Sequence, residues 1–224
     1  MNHYKYLKLL SSAILVGGIS AAAADTAKPF SNFYVGVGTG YSIFNGRSVS
    51  GTAGVISKKQ FHSQGFLGKV FGGYEVLASS NIYGAVEGYF LFDPQKATYG
   101  SENGGATDQE KFSRKVVFGA RGKLGASFNE TVIAYGILGV ETSRFVLNTE
   151  NSLGSKNSRN KFLWAAVPGA GLNMALSEKT KLIVEYTYAR YQVFNTEWVD
   201  SGYNSVFKVR PSVNTISVGI SWSL

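Results

Sequence analysis

The closing segment, VNTISVGISWSL (213–224), alternates with period two over its whole length. Ile216, Val218, Ile220, Trp222 and Leu224 fall on one face, and Thr215, Ser217, Gly219, Ser221 and Ser223 on the other. Side chains of an extended strand point to opposite faces in turn, so this is a strand with one apolar side and one small, polar side. FYVGVGTGYSIF, near the start, repeats the pattern with Phe33, Val35, Val37, Tyr41 and Ile43 opposite Gly36, Gly38, Gly40 and Ser42. Six further strands are expected at about 62–76, 81–92, 111–127, 131–146, 161–176 and 180–194. All exceed the roughly five or six residues of an ordinary globular strand and suffice for the ~9–11 that a tilted strand needs to cross a bilayer.

The connections alternate in length. Short ones fall at 77–80, 127–131 and 177–180, and long, polar ones at 45–61, 93–110, 147–160 and 195–211. Three tight turns and four long loops on opposite sides describe an all-β, eight-stranded antiparallel up-and-down barrel, which leaves no strand edge unpaired. The placement of charge then separates a transmembrane barrel from a soluble one. Lys69, Glu75, Glu87, Arg121, Lys123, Glu141 and Glu185 share the face that carries the glycines. Phe66, Val70, Val86, Phe90, Phe118, Leu124, Leu138, Val140, Leu182, Val184 and Tyr186 occupy the other. Charges inside and an unbroken apolar band outside fit a barrel in lipid, with the seven charged groups as an interior ionic network. Phe33, Tyr74 and Trp222 at the turn side, and Tyr41, Phe92, Trp164 and Tyr188 at the loop side, fit interfacial girdles. Pro168, inside the sixth strand, predicts a bulge or a break there.

Residues 1–24 read as an export signal: Lys5 and Lys8, an apolar stretch, then Ala22-Ala23-Ala24 before a cut at Asp25. The barrel domain is accordingly expected over 25–224. Removing the leader lowers the formal net charge from +8 to +6. Such an excess raises the possibility of nucleic-acid binding, but export argues against that partner. The absence of Cys excludes thiolate metal sites and cysteine nucleophiles, and two His residues leave little for a His cluster, so no cofactor or metal is expected.

The blocks FYVGVGTGY, GFLGKVFGGYEV, GAGLNMALSEKTKLIVEYTYARY and TISVGISWSL resemble the small eight-stranded outer-membrane barrel superfamily of bacteria, the opacity/Omp25-like and OmpA-barrel-like proteins. The resemblance spans the chain after its leader and implies an outer-membrane location and recognition by the barrel-assembly machinery. Final strands in the family usually end on an aromatic residue, whereas this one ends on Leu224 with Trp222 two positions earlier. No peptidoglycan-binding domain is expected after the last strand.

Little in the sequence points to catalysis. His62 stands beside Ser63, but adjacent strand residues face opposite ways, so a dyad would need Asp93 or Asp108 from the loops. Gly36-x-Gly38-x-Gly40 lacks the spacing of a nucleotide loop and reads as space inside a narrow barrel. Asn129-x-Thr131 matches a glycosylation sequon within a short turn. Arg114, Arg144, Arg190 and Arg210 fall on the lipid-facing phase at the loop ends of their strands, predicting a basic rim toward lipopolysaccharide phosphates. The expected protein is a monomeric, non-enzymatic outer-membrane barrel whose loops contact host or other surfaces and whose body supports the envelope. A narrow porin is the alternative and a lipid A-modifying enzyme a distant third.

Overall fold

The computed structural model describes residues 30–52, 55–78, 81–103, 106–129, 131–150, 156–200 and 203–224. The leader expected over 1–24 lies outside them. Ten strands follow in chain order: β1 (Phe33–Thr52), β2 (Val55–Ala78), β3 (Ile82–Phe92), β4 (Lys96–Asn103), β5 (Ala106–Ser127), β6 (Val132–Glu150), β7 (Lys156–Ala175), β8 (Thr180–Tyr191), β9 (Phe194–Asp200) and β10 (Tyr203–Ser223). β4 resumes the stave begun by β3 after Asp93–Gln95, and β9 resumes that of β8 after Gln192 and Val193. The staves therefore number eight. All pair antiparallel with their chain neighbours, and β1 closes the barrel on β10, from Tyr34 opposite Ser223 to Thr52 opposite Ser205.

The long connections of the sequence reading are mostly strand. β1 and β2 stay paired out to Thr52 and Val55, and β6 and β7 out to Glu150 and Lys156. A strand of 24 residues such as β2, tilted as barrel strands are, rises to roughly 60 Å, against an apolar band of about 25 Å. The staves thus continue as β-hairpins well past the membrane. Polar composition suggested loops, but a paired ladder satisfies the backbone as well as solvent does. At the opposite end the connections are short. In one of them the Asn129 carboxamide oxygen accepts from the amides of Thr131 and Val132, at 2.9 and 2.7 Å, and from the Thr131 hydroxyl. That turn geometry accounts for the Asn129-x-Thr131 pattern.

Pro168 causes neither bulge nor break. The β6 register runs straight through it, opposite Leu138, and the β7–β8 register is the same on both sides. Only the β8 pairings of Val167 and Pro168 are missing. A strand residue directs its N–H toward one neighbour, so the missing donor is felt by β8 alone. The bulge lies instead in β5, where the ladder to β6 shifts between Arg114 and Val117.

The outer wall carries the apolar face. Phe66, Val86, Leu124, Leu138 and Trp164 are all more than half exposed, and Phe33 packs on Tyr74 across β1 and β2 with ring centroids 4.9 Å apart. No such surface is tolerated in water, so it faces lipid. Leu138→Arg, near the middle of β6, is expected to destabilise the refolded barrel by ~2–4 kcal/mol, whereas Thr142→Arg nearer the rim costs about 1 kcal/mol or less. Urea unfolding in lipid vesicles reads the difference, and equal costs would contradict this membrane depth.

Candidate functional site

The lumen is filled by side chains in layers. The middle layer sets Glu87 and Glu185 among three cations. Lys69 Nζ lies 2.7 Å from Glu185, Arg121 Nη2 2.6 Å from Glu185, and Lys123 Nζ 2.5 Å from Glu87 and 3.0 Å from Glu185. Glu87 stands directly opposite Arg121 in the β3–β5 ladder and accepts from its Nε at 2.8 Å. The Tyr34 and Tyr135 hydroxyls lie 2.9 and 3.0 Å from Glu87 and Glu185.

Toward the hairpins, Arg114 Nη1 binds Asp93 at 2.7 Å and its Nη2 binds Glu141 at 3.0 Å, with Tyr89 donating to Glu141 at 2.8 Å. Asp93 also accepts from Ser42, and Gln95 donates to the Ser42 carbonyl at 2.8 Å. Toward the turns, Lys181 pairs with Glu75, which accepts from Tyr83 at 3.0 Å. Asn173 joins this layer to the middle one, donating to Tyr83 and accepting from Tyr135.

Apolar caps close both ends of this polar column. Phe44, Phe112 and Phe145 stack at the hairpin end, with centroids 5.3–6.1 Å apart, flanked by Leu163, Tyr191, Phe194, Val209 and Val213. At the turn end the chain before β1 folds inward, burying Phe30 against Tyr83 and Ile133. Between Lys69, Tyr89, Arg121 and Glu141 remains a gap of 20 Å³, room for about one water.

All seven charged residues assigned to the interior from sequence are buried here. Three more belong with them: Asp93, Arg114 and Lys181. Lys181 and Asp93 share the phase of Glu185 and Glu87, a signal masked because each adjoins a connection. Arg114 corrects the rim assignment. It is 1% exposed and faces the lumen, because the extra residue of the β5 bulge reverses the phase of everything above it. Arg144, Arg190 and Arg210 are exposed on the outer wall. With Asp93, Arg114 and Lys181 included, the buried charges among the described residues comprise five cations (Lys69, Arg114, Arg121, Lys123, Lys181) and five anions (Glu75, Glu87, Asp93, Glu141, Glu185).

The glycines serve the same packing. A Cβ on Gly36 would lie 2.3 Å from the Phe71 ring, and one on Gly40 2.5 Å from the Ile216 carbonyl. His62 is exposed, with Nδ1 2.8 Å from the Asn45 carboxamide oxygen opposite it. Asp93 is committed to Arg114 inside the wall, and the side chain of Asp108 lies outside the described residues. Among the described residues no cluster of acids and His could hold a metal ion.

A sequence model of the outer membrane protein beta-barrel domain family matches residues 11–223. The chain belongs to that family. This outer-membrane barrel is 26% identical to outer membrane protein P5 of Haemophilus influenzae over 227 residues, covering 96% of the chain and 60% of P5. It therefore spans less than two thirds of that relative. The outer membrane protease OmpT of Escherichia coli superposes with a TM-score of 0.51 at 8% identity, over 92% of this chain and 100% of OmpT. Ail, the attachment invasion locus protein of Yersinia pestis, gives 0.40 at 18% identity, over 84% of this chain and 98% of Ail. The family places the protein in the bacterial outer membrane.

Proposed function

We propose that this protein is a plugged, non-enzymatic barrel whose role lies at its outer end. The membrane body anchors four staves-turned-hairpins that contact other surfaces, in the manner of an adhesin, and lends the envelope rigidity. The observation that carries this reading is the column of five buried cations and five buried anions capped by aromatic clusters. An eight-stranded interior is only wide enough for side chains, and here they fill it. A porin needs a continuous wet path, and the 20 Å³ gap is not one. Extended hairpins, in contrast, supply paired strands along which recognition residues can be displayed. The mature chain is taken to be 25–224, working as a monomer after delivery through the barrel-assembly machinery.

Refolded protein in planar bilayers is expected to show no stable open level, and shortening the hairpins is expected to lower binding of intact cells to host matrix while heat-modifiable gel migration is retained. Stable single-channel steps would favour the porin instead. A hydrolytic activity on lipid A lost in His62→Ala would favour the enzyme.

A further inference from the structure

We infer that the outer wall carries one discrete site for the phosphorylated headgroup of an outer-leaflet glycolipid, built from Arg190 and Arg210 beside Trp164. The inference rests only on the outer-membrane location and not on whether the lumen conducts.

The strand registers define it. Val140, Ala166 and Arg190 stand in one row across β6, β7 and β8. One step nearer the hairpins, Trp164 faces Gln192, whose amide donates to its carbonyl at 2.9 Å, and Arg210 faces Arg47 on the far side. Arg190 lies opposite Ser212, which makes Arg210 its diagonal neighbour on the same face, about 7–8 Å away. A groove of 360 Å³ is lined by Val140, Trp164, Ala166, Arg190, Gln192 and Arg210. Its floor is small and apolar, its wall an indole, and two guanidinium groups stand at its edge.

Charge complementarity identifies the occupant. Arg47 directly opposite Arg210, with Arg190 diagonal to it, is a self-repelling arrangement. Among the residues whose side chains are described, the strand carboxylates Glu75, Glu87, Glu141 and Glu185 all face the lumen, where they are already matched, and the exposed Glu178 sits in a turn at the other end. The outer wall thus offers these arginines no described carboxylate. A phosphate fits two guanidinium forks, while the apolar floor below suits the top of an acyl chain. On β2 and β3 the corresponding outward positions are Gln60, His62, Gln64 and Phe92, so the basic surface, which also includes the exposed Lys115 on β5 and Arg144 on β6, is not a closed ring, and only Arg190 and Arg210 line the groove.

The test uses the refolded full barrel in phosphatidylcholine nanodiscs, titrated with bisphosphorylated lipid A and read by native mass spectrometry. Arg190→Gln/Arg210→Gln is expected to weaken binding about tenfold or more, and dephosphorylated lipid A to lose the same preference. Arg144→Gln, on the wall outside the groove, is expected to change binding less than about twofold. Arg190→Lys/Arg210→Lys keeps the charge but loses the fork, and a clear loss there supports the site even should the Gln pair fail to fold. Unchanged binding in the Gln pair, or an equal loss in Arg144→Gln, overturns it in favour of no site or a diffuse belt. Displacement by inorganic phosphate at the concentration of the lipid overturns it in favour of a free-anion site.

Discussion

Glu185→Gln is expected to lower the unfolding free energy of the refolded barrel by about 3–5 kcal/mol, the cost of leaving buried charge uncompensated. The reason is local arithmetic. Glu185 and Glu87 together serve Lys69, Arg121 and Lys123, all buried, and Glu185 lies within 3.0 Å of each of the three. Its loss leaves three cations on a single carboxylate. Arg121→Met, by contrast, leaves Lys69 on Glu185 and Lys123 on Glu87, two pairs that still balance. It is therefore expected to cost less, although it removes the larger side chain. Adding Lys69→Met to Glu185→Gln is expected to restore a substantial part of the loss, since one of the excess cations goes with it. Chemical unfolding followed by Trp fluorescence and heat-modifiable migration gives all three costs. A cost near zero for Glu185→Gln would mean that water reaches this layer, and the plugged reading would fall with it.

That balance was partly legible in the chain itself. Period-two alternation fixed the barrel and its inside face, because a one-residue slip would expose every lumen charge to lipid. Lys69, Glu87, Arg121, Lys123, Glu141 and Glu185 lie in mid-strand, where phase is unambiguous. Arg114 was not legible. In KFSRKVV the chain inserts one residue into β5, and nothing in the composition of that stretch marks where. The bulge answers a break three-dimensionally adjacent to it, where the Asp93 amide donates to the Lys115 carbonyl and the Arg114 amide to the Gln95 carbonyl. Asp93, Gln95 and Arg114 are all drawn inward together. Pairing between strands distant in sequence decides this, and no single-strand pattern carries it. The hairpins escaped for a related reason: their ladders are held by backbone partners, and polar side chains are equally at home on a solvated strand or in a loop.

Gly119→Val tests the other half of the packing, the fit of aromatic rings to bare backbone. A Cβ at Gly119 would lie 2.2 Å from Cζ of Tyr89 on the adjacent strand, and that ring cannot retreat without giving up its 2.8 Å bond to Glu141. Overpacking of this kind costs about 1–3 kcal/mol, and the lost charge-assisted hydrogen bond about 1.5–3 more. Arg121, whose guanidinium lies 5.0 Å from the Tyr89 ring centroid, would be disturbed as well. Shrinking the ring should relieve the clash, so Tyr89→Ala combined with Gly119→Val is expected to cost less than the two separate losses added together, by about 1 kcal/mol or more. Gly88→Val supplies the contrast. Gly88 faces outward with nothing within 4 Å of an added Cβ, and a β-branched side chain there should be neutral or slightly stabilising. If Gly119→Val and Gly88→Val unfold at the same urea concentration, the inner glycines are not holding space for the rings, and the lumen is looser than its contacts require.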